Sequence, residues 1–116
     1  MTVGRLAGMM TTLAAMMVAS SALAIDPSIK CQSDKLRLAA KYTACRLNAE
    51  AQAARDFAAP DFTKCTNKYR AGWEKAEARA LSKGAPCWTS GDAEAVQGDI
   101  DAHTGGLAES LGYGAD

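Results

Sequence analysis

The chain has 116 residues, with 13 Lys and Arg against 13 Asp and Glu, so it fits one small domain and its zero net charge favours neither nucleic acid nor a strongly acidic partner. Residues 25–116 contain only 17 Val, Ile, Leu, Phe, Trp or Tyr, too few for a large core. Four Cys in so short a chain therefore indicate disulfide bonds.

Residues 1–24 have the pattern of a secretory signal peptide. Arg5 is their only charge, an apolar run follows it, and Ala22-Leu23-Ala24 offers the small residues that a signal peptidase accepts. We expect cleavage after Ala24, no stable membrane insertion afterwards, and a single periplasmic or secreted domain at 25–116. The alternative is an uncleaved anchor, because residues 6–25 are just long enough to span a bilayer.

The first mature segment predicts a helix from about Ser28 to about Arg55, free of Gly and Pro. One apolar stripe of this helix comprises Cys31, Leu38, Tyr42, Cys45, Ala49 and Ala53. A second stripe on nearly the opposite side comprises Leu36, Ala40, Leu47, Ala51 and Ala54. A helix that is apolar on two sides is expected to contact two neighbours.

A second helix is predicted from the break at Pro60-Asp61 to about Lys83, before Gly84 and Pro86. Its apolar stripe comprises Phe62, Cys65, Tyr69, Trp73, Ala76 and Ala80.

A third helix is predicted to begin near residues 89–92, with Ser90 or Thr89 as its cap. The apolar spacing gives a stripe of Val96, Ile100, His103, Leu107 and Leu111. Because Gly98 and the pair Gly105-Gly106 weaken a helix, we expect it to be short, frayed or broken near Gly105.

Charge divides sharply along the chain. Residues 28–83 hold 12 Lys and Arg against 6 Asp and Glu, whereas residues 84–116 hold 6 Asp and Glu and no Lys or Arg. One interpretation is a basic hairpin for an anionic partner, masked by an acidic tail. The favoured interpretation is a third helix that lies against the first two, with complementary charges at its rim.

The four Cys allow three pairings, which helix geometry separates. Cys31 and Cys45 on one helix would lie roughly 21 Å apart, too far for a disulfide. In an antiparallel hairpin, facing residue numbers have a nearly constant sum. The sums of the paired residue numbers differ by 36 in the crossed pairing and by only 8 in the nested pairing. The loop before Cys87 can accommodate a difference of 8. The prediction is Cys31–Cys87 and Cys45–Cys65.

These elements predict an all-α fold. An antiparallel helical hairpin at residues 28–83 is stapled by two disulfides, and an acidic segment at 88–112 carries the short third helix. The candidate packing core is Leu38, Tyr42, Phe62, Tyr69 and Trp73.

Four stretches carry a resemblance: residues 41–51, 59–65, 75–78 and 85–93, which include the Ala-Pro-Asp-Phe turn before Cys65 and the Ala-Pro-Cys-Trp-Thr-Ser-Gly-Asp run around Cys87. They resemble a family of small exported bacterial proteins of unknown function, over roughly residues 31–100. The resemblance implies a Cys-stapled, Ala- and Lys-rich helical hairpin, then a Gly-Asp turn and a last helix. Some relatives carry a further Cys where this chain has Ala49.

No residue set predicts catalysis, a metal site or a cofactor. His103 is the only His, and its place on the apolar stripe predicts a partly buried structural role. The run from Asp99 to His103 begins like a calcium loop, but Thr104 and Ser110 stand where that loop needs Gly and Glu. We expect at most weak cation binding by the acidic residues Asp92, Glu94, Asp99 and Asp101. Trp88 is expected to cover the disulfide of Cys87.

The sequence therefore predicts an exported, non-catalytic module that binds an unidentified protein or envelope component. Two alternatives stay open. One is a thiol–disulfide protein in which Cys45–Cys65 cycles, although a motif that lowers a thiol pKa is missing. The other is a membrane-anchored accessory subunit that retains residues 6–25.

Overall fold

The computed structural model describes residues 25–112, which form three helices and contain no strand. Helix α1 spans Pro27–Asp56, α2 spans Thr63–Ser82 and α3 spans Ala93–Ser110. Helices α1 and α2 form an antiparallel hairpin, and α3 packs against α1. The predicted all-α hairpin with a third helix is confirmed. The predicted signal peptide, residues 1–24, lies outside the described residues.

Local signals set both ends of α1. The Asp26 carboxylate accepts hydrogen bonds from the backbone N–H (2.8 Å) and the hydroxyl (2.6 Å) of Ser28, and Pro27 occupies the first helical position. At the other end, Phe57 adopts a left-handed conformation with φ 52°, and the Ala58 N–H donates to the Ala53 carbonyl. The chain thus turns before Pro60, as the sequence predicts.

Both disulfides have the predicted pairing, and each joins two parts of the hairpin. Cys45–Cys65 links α1 to the first turn of α2, and Cys31–Cys87 links the start of α1 to the loop after α2. Their Cα atoms lie 5.7 and 5.6 Å apart, ordinary separations for a disulfide. The hairpin is therefore closed at both ends.

An aromatic ladder forms the main core between the helices. The Tyr42 and Tyr69 rings lie 4.8 Å apart, and the Tyr69 and Trp73 rings 5.1 Å apart. Of the other candidate core residues, Leu38 is half-buried and packs on the edge of this cluster. Phe62 is half-buried outside it and stacks on the guanidinium of Arg46, 3.7 Å from its ring centroid.

Helix α3 is longer and more regular than its glycines suggest. The expected break near Gly105 is wrong, because the helix continues through Gly105 and Gly106 to Ser110. Docking explains this, since Thr104 is fully buried and Ala108 is 6% exposed. Tertiary contact on both sides of the glycine pair offsets their weak helix propensity.

The buried face of α3 is also rotated from the expected stripe. Val96 and Ile100 are half-buried and face the core, but the face then continues in steps of four to Thr104 and Ala108. His103, Leu107 and Leu111 are therefore exposed, and the prediction of a partly buried His103 is wrong.

Helix α1 contacts two neighbours as expected, but it does not do so through its second apolar stripe. Leu36, Ala40, Leu47 and Ala51 are exposed. Helix α3 docks instead on the side of α1 that carries Lys35, Tyr42 and Arg46. Asp92 and Asp101 pair with the two cations, and the Tyr42 hydroxyl donates to Asp101.

Candidate binding groove

Lys35 is a buried cation at the centre of the three-helix junction. Its side chain is 3% exposed. The ammonium donates to the Glu77 carboxylate (3.1 Å), the Thr89 carbonyl (2.7 Å) and the Asp92 carboxylate (3.0 Å). It also lies 4.9 Å from the centroid of the Trp73 ring. All three donors of the ammonium are thus used to tie the loop before α3 to the hairpin.

Asp92 forms an ion pair with Lys35 and fixes the start of α3. One carboxylate oxygen accepts from Lys35 and from the Trp73 indole N–H (3.1 Å), and the other accepts from the Thr89 hydroxyl (2.6 Å). Burial raises the pKa of this carboxyl, but the hydrogen bonds from Thr89, Lys35 and Trp73 outweigh it and lower the pKa to about 2. Asp92 is therefore ionised at neutral pH.

A second polar cluster fixes the middle of α3. Arg46 is 7% exposed; its guanidinium donates to the Thr104 hydroxyl (2.8 Å) and pairs with the Asp101 carboxylate (3.2 Å). The Tyr42 hydroxyl also donates to Asp101, at 2.5 Å. The Thr104 hydroxyl in turn donates a hydrogen bond to the Ile100 carbonyl (2.9 Å). Charge-assisted hydrogen bonds of this kind fix a register as well as adding stability.

Tyr69 joins the aromatic ladder to α3. Its hydroxyl donates to the Ala93 carbonyl at 2.8 Å. Burial and the nearby Asp92 carboxylate raise the pKa of Tyr69 to about 12. The hydroxyl is therefore a permanent donor at neutral pH.

The acidic residues at the start of α3 and along it do not cluster around a common position for a metal ion. Asp92 faces Lys35, Asp101 faces Arg46, and Glu94 pairs with Arg70 at 3.3 Å. Within residues 25–112, no group of three or more His, Cys, Asp or Glu side chains is placed to hold a metal ion. These carboxylates serve the docking of α3 onto the hairpin.

Trp88 does not cover the Cys31–Cys87 disulfide as expected. Its side chain is 65% exposed and borders a shallow apolar groove with Ile29 and Leu36. No free Cys occurs in the described part of the chain.

The face of the hairpin away from α3 carries an open basic groove. A cavity of about 300 Å³ lies between α1 and α2. Its walls are Arg37 and Lys41 on α1 and Lys75 and Arg79 on α2. Two smaller cavities extend it along the hairpin, and the three together are lined by seven basic side chains and one carboxylate, Asp34. We call this surface the basic groove.

The floor of the basic groove is apolar. Leu38, Gly72 and Ala76 form it, and the Cys45–Cys65 disulfide lies at one end. The missing side chain at Gly72 makes room for Leu38, since a Cβ atom at position 72 would lie 2.5 Å from Leu38 Cδ2 and would displace that side chain. The single acid is already paired, because the Asp34 carboxylate lies 3.4 Å from Lys30 and 3.9 Å from Arg79. Most of the positive charge in the groove is therefore uncompensated.

Sequence patterns did not identify the buried charges. Lys35 and Arg46 look like ordinary surface cations of a Lys- and Arg-rich helix, and Glu50 is likewise 8% exposed. The only signal was global: a basic hairpin followed by an acidic segment.

Comparisons of the chain with protein-family models, curated proteins and solved structures found no match. Among residues 25–112, none of the helices is both long enough and apolar enough to span a bilayer.

Proposed function

We propose that the protein is an exported, non-catalytic binding module that presents the basic groove to an anionic partner in the bacterial envelope or outside the cell. The observation that carries this proposal is the asymmetry of the hairpin. One face is neutralised by the protein's own α3 through Lys35, Arg46 and Arg70, whereas the other keeps its cations uncovered.

The rigid frame supports a binding role. Two disulfides close the hairpin and two buried polar clusters hold α3, so the groove walls are held in place before any partner arrives. A preorganised surface loses less entropy on binding than a flexible one.

Export is supported by the cysteines and by the N-terminal sequence. Disulfides persist in oxidising compartments, and all four Cys of this chain are paired in disulfides. Residues 1–24 carry the pattern of a secretory signal. The intact mass of exported protein from a bacterial host should begin at Ile25; a membrane-bound form beginning at Met1 would favour the anchored alternative.

Binding is tested by photo-crosslinking in cells. A photoreactive benzoylphenylalanine at position 75 should give discrete adducts with a partner. The same group at position 55, an exposed Arg at the end of α1 outside the basic groove, should not. Adducts at neither position, or equally at both, would contradict a binding role for the groove.

A thiol–disulfide function is the second candidate. The Cys45–Cys65 bond lines one end of the basic groove together with Lys41 and Lys68, and nearby cations stabilise a thiolate. Catalysis of insulin reduction by the purified protein would favour it. A reduction potential typical of structural disulfides, without such activity, would exclude it.

A further inference from the structure

The docking of α3 shows how this hairpin binds an acidic helix. Val96 and Ile100 place a narrow apolar seam on the aromatic core. Acidic side chains flank that seam and pair with cations of the hairpin: Asp92 with Lys35, Glu94 with Arg70, and Asp101 with Arg46. The bound element is thus an amphipathic helix whose acids, at and beside its apolar residues, reach cations on both helices of the hairpin.

The basic groove repeats these requirements on the opposite face. Its floor is the apolar surface of Leu38, Gly72 and Ala76. Its walls place Arg37 and Lys41 four residues apart on α1, while Lys75 and Arg79 have the same spacing on α2. Residues four apart on a helix form neighbouring positions on one side, so each wall offers two cations to a ligand lying along the groove.

We propose that the basic groove docks an acidic amphipathic helix of a partner protein, in the manner of α3. The inference rests on the proposed binding function and names its ligand class. Acidic residues of the partner helix pair with Arg37, Lys41 and Lys75, which have no ion pair in the described part of the chain. Its apolar residues cover Leu38, which is only half-buried.

A second copy of this chain is a poor occupant. The outward face of its acidic helix carries Ala95, Gly98, Asp99 and Ala102, all exposed. That face has an acid but no large apolar side chain to fill the floor of the groove. The exposed Leu107 and Leu111 lie at the end of α3, with Glu109 as the one acid between them. A bare polyanion is disfavoured for a related reason, because it would leave the apolar floor in water.

The test uses the oxidised protein and a synthetic helical peptide of about 18 residues, long enough for five turns. The peptide carries Leu at three- and four-residue spacing with Glu on both sides of the Leu seam. Controls are a scrambled peptide of the same composition, poly-glutamate, heparin and vesicles containing anionic lipid. Binding is followed by fluorescence anisotropy or calorimetry at two salt concentrations.

The decisive variant is Lys41→Glu with Lys75→Glu, which reverses one cation on each wall. We expect it to weaken binding of the helical peptide by about tenfold or more, since like charges then oppose the acids. The matched control, Arg55→Glu with Lys64→Glu, makes the same change of net charge outside the groove and should keep the affinity within about twofold. Circular dichroism verifies that both variants fold.

A third variant, Leu38→Ala, separates the apolar contribution from charge. It should weaken the helical peptide and leave binding of poly-glutamate unchanged. Lys41→Gln with Lys75→Gln should give a smaller loss than charge reversal.

Three results would overturn the proposal. The first is that the helical peptide does not bind. The second is that the scrambled peptide, poly-glutamate, heparin or vesicles bind as tightly as the helical peptide. The third is that the protein self-associates through the groove. Each leaves the crosslinking result at position 75 intact, so a wrong ligand class is distinguishable from a wrong function. Groove-dependent binding of the helical peptide alone supports the proposal.

Discussion

Removing the charge of Asp92 is the sharpest test of how α3 is held. Asp92→Asn keeps the shape of the side chain but replaces a carboxylate that accepts from Lys35, Trp73 and Thr89. The side chain of Asp92 is 28% exposed, and Lys35 beneath it is 3% exposed. The substitution thus leaves a buried ammonium with one carboxylate fewer.

The magnitude follows from the pKa. A fall from the ordinary 3.8 to about 2 corresponds to about 2 kcal/mol of folding free energy. Because the pKa is lower in the folded state, this stabilisation is present above pH 3.8 and is lost as pH falls through about 2. At neutral pH, Asp92→Asn should therefore cost about 2 kcal/mol, or about 10 °C in Tm for a domain of this size.

Urea unfolding at a series of pH values measures the effect. The free-energy difference between the wild type and Asp92→Asn should be largest at neutral pH and shrink toward zero as the wild-type carboxyl is protonated. Asp99→Asn is the matched control, because Asp99 is exposed on the same helix and has no ion pair among residues 25–112. It should change stability by less than about 0.5 kcal/mol. A difference for Asp92→Asn that is independent of pH would refute the role assigned to its charge.

Three further variants test the two disulfides and the aromatic ladder. Replacing Cys45 and Cys65 by Ser should cost about 2–4 kcal/mol and leave α3 docked, whereas replacing Cys31 and Cys87 by Ser should cost a similar amount and also speed amide exchange at the start of α3. Equal exchange in the two variants would contradict the second role of the outer bond. Because the pKa of Tyr69 is about 12, its ionisation should lower the stability of the folded protein as pH rises from 10 to about 12, and Tyr69→Phe should remove this part of the loss. Tyrosinate absorbance checks this, and titration of every tyrosine near pH 10 would exclude it.

The sequence was sufficient for the two helices of the hairpin and for the disulfide bonds that join them. Pro27, Pro60 and Gly84 mark helix ends or turns through backbone geometry that acts within a few residues. The disulfide pairing followed because helix rise converts sequence distance into length, which leaves one pairing compatible with a hairpin. Both inferences use local or one-dimensional rules, and both are confirmed.

The candidate site was predictable only in outline. The excess of Lys and Arg in residues 28–83 indicated a basic hairpin. It could not show that Lys35 and Arg46 are buried under α3 while Lys41 and Lys75 line an open groove. Whether a cation of the hairpin is buried or exposed depends on whether α3 packs over it.

The tertiary structure alone decided the rotation of α3 and its continuity. Apolar spacing placed His103, Leu107 and Leu111 inward, but the helix instead buries Thr104 and Ala108. The reason is that its acids must meet their cations on the hairpin. Lys35 finds its acidic partners 42 and 57 residues away, and Arg46 finds Thr104 58 residues away. Contacts between residues so far apart in the chain leave no periodic signal in the sequence. They nevertheless determine the orientation of α3, because a buried charge without its partner is very costly.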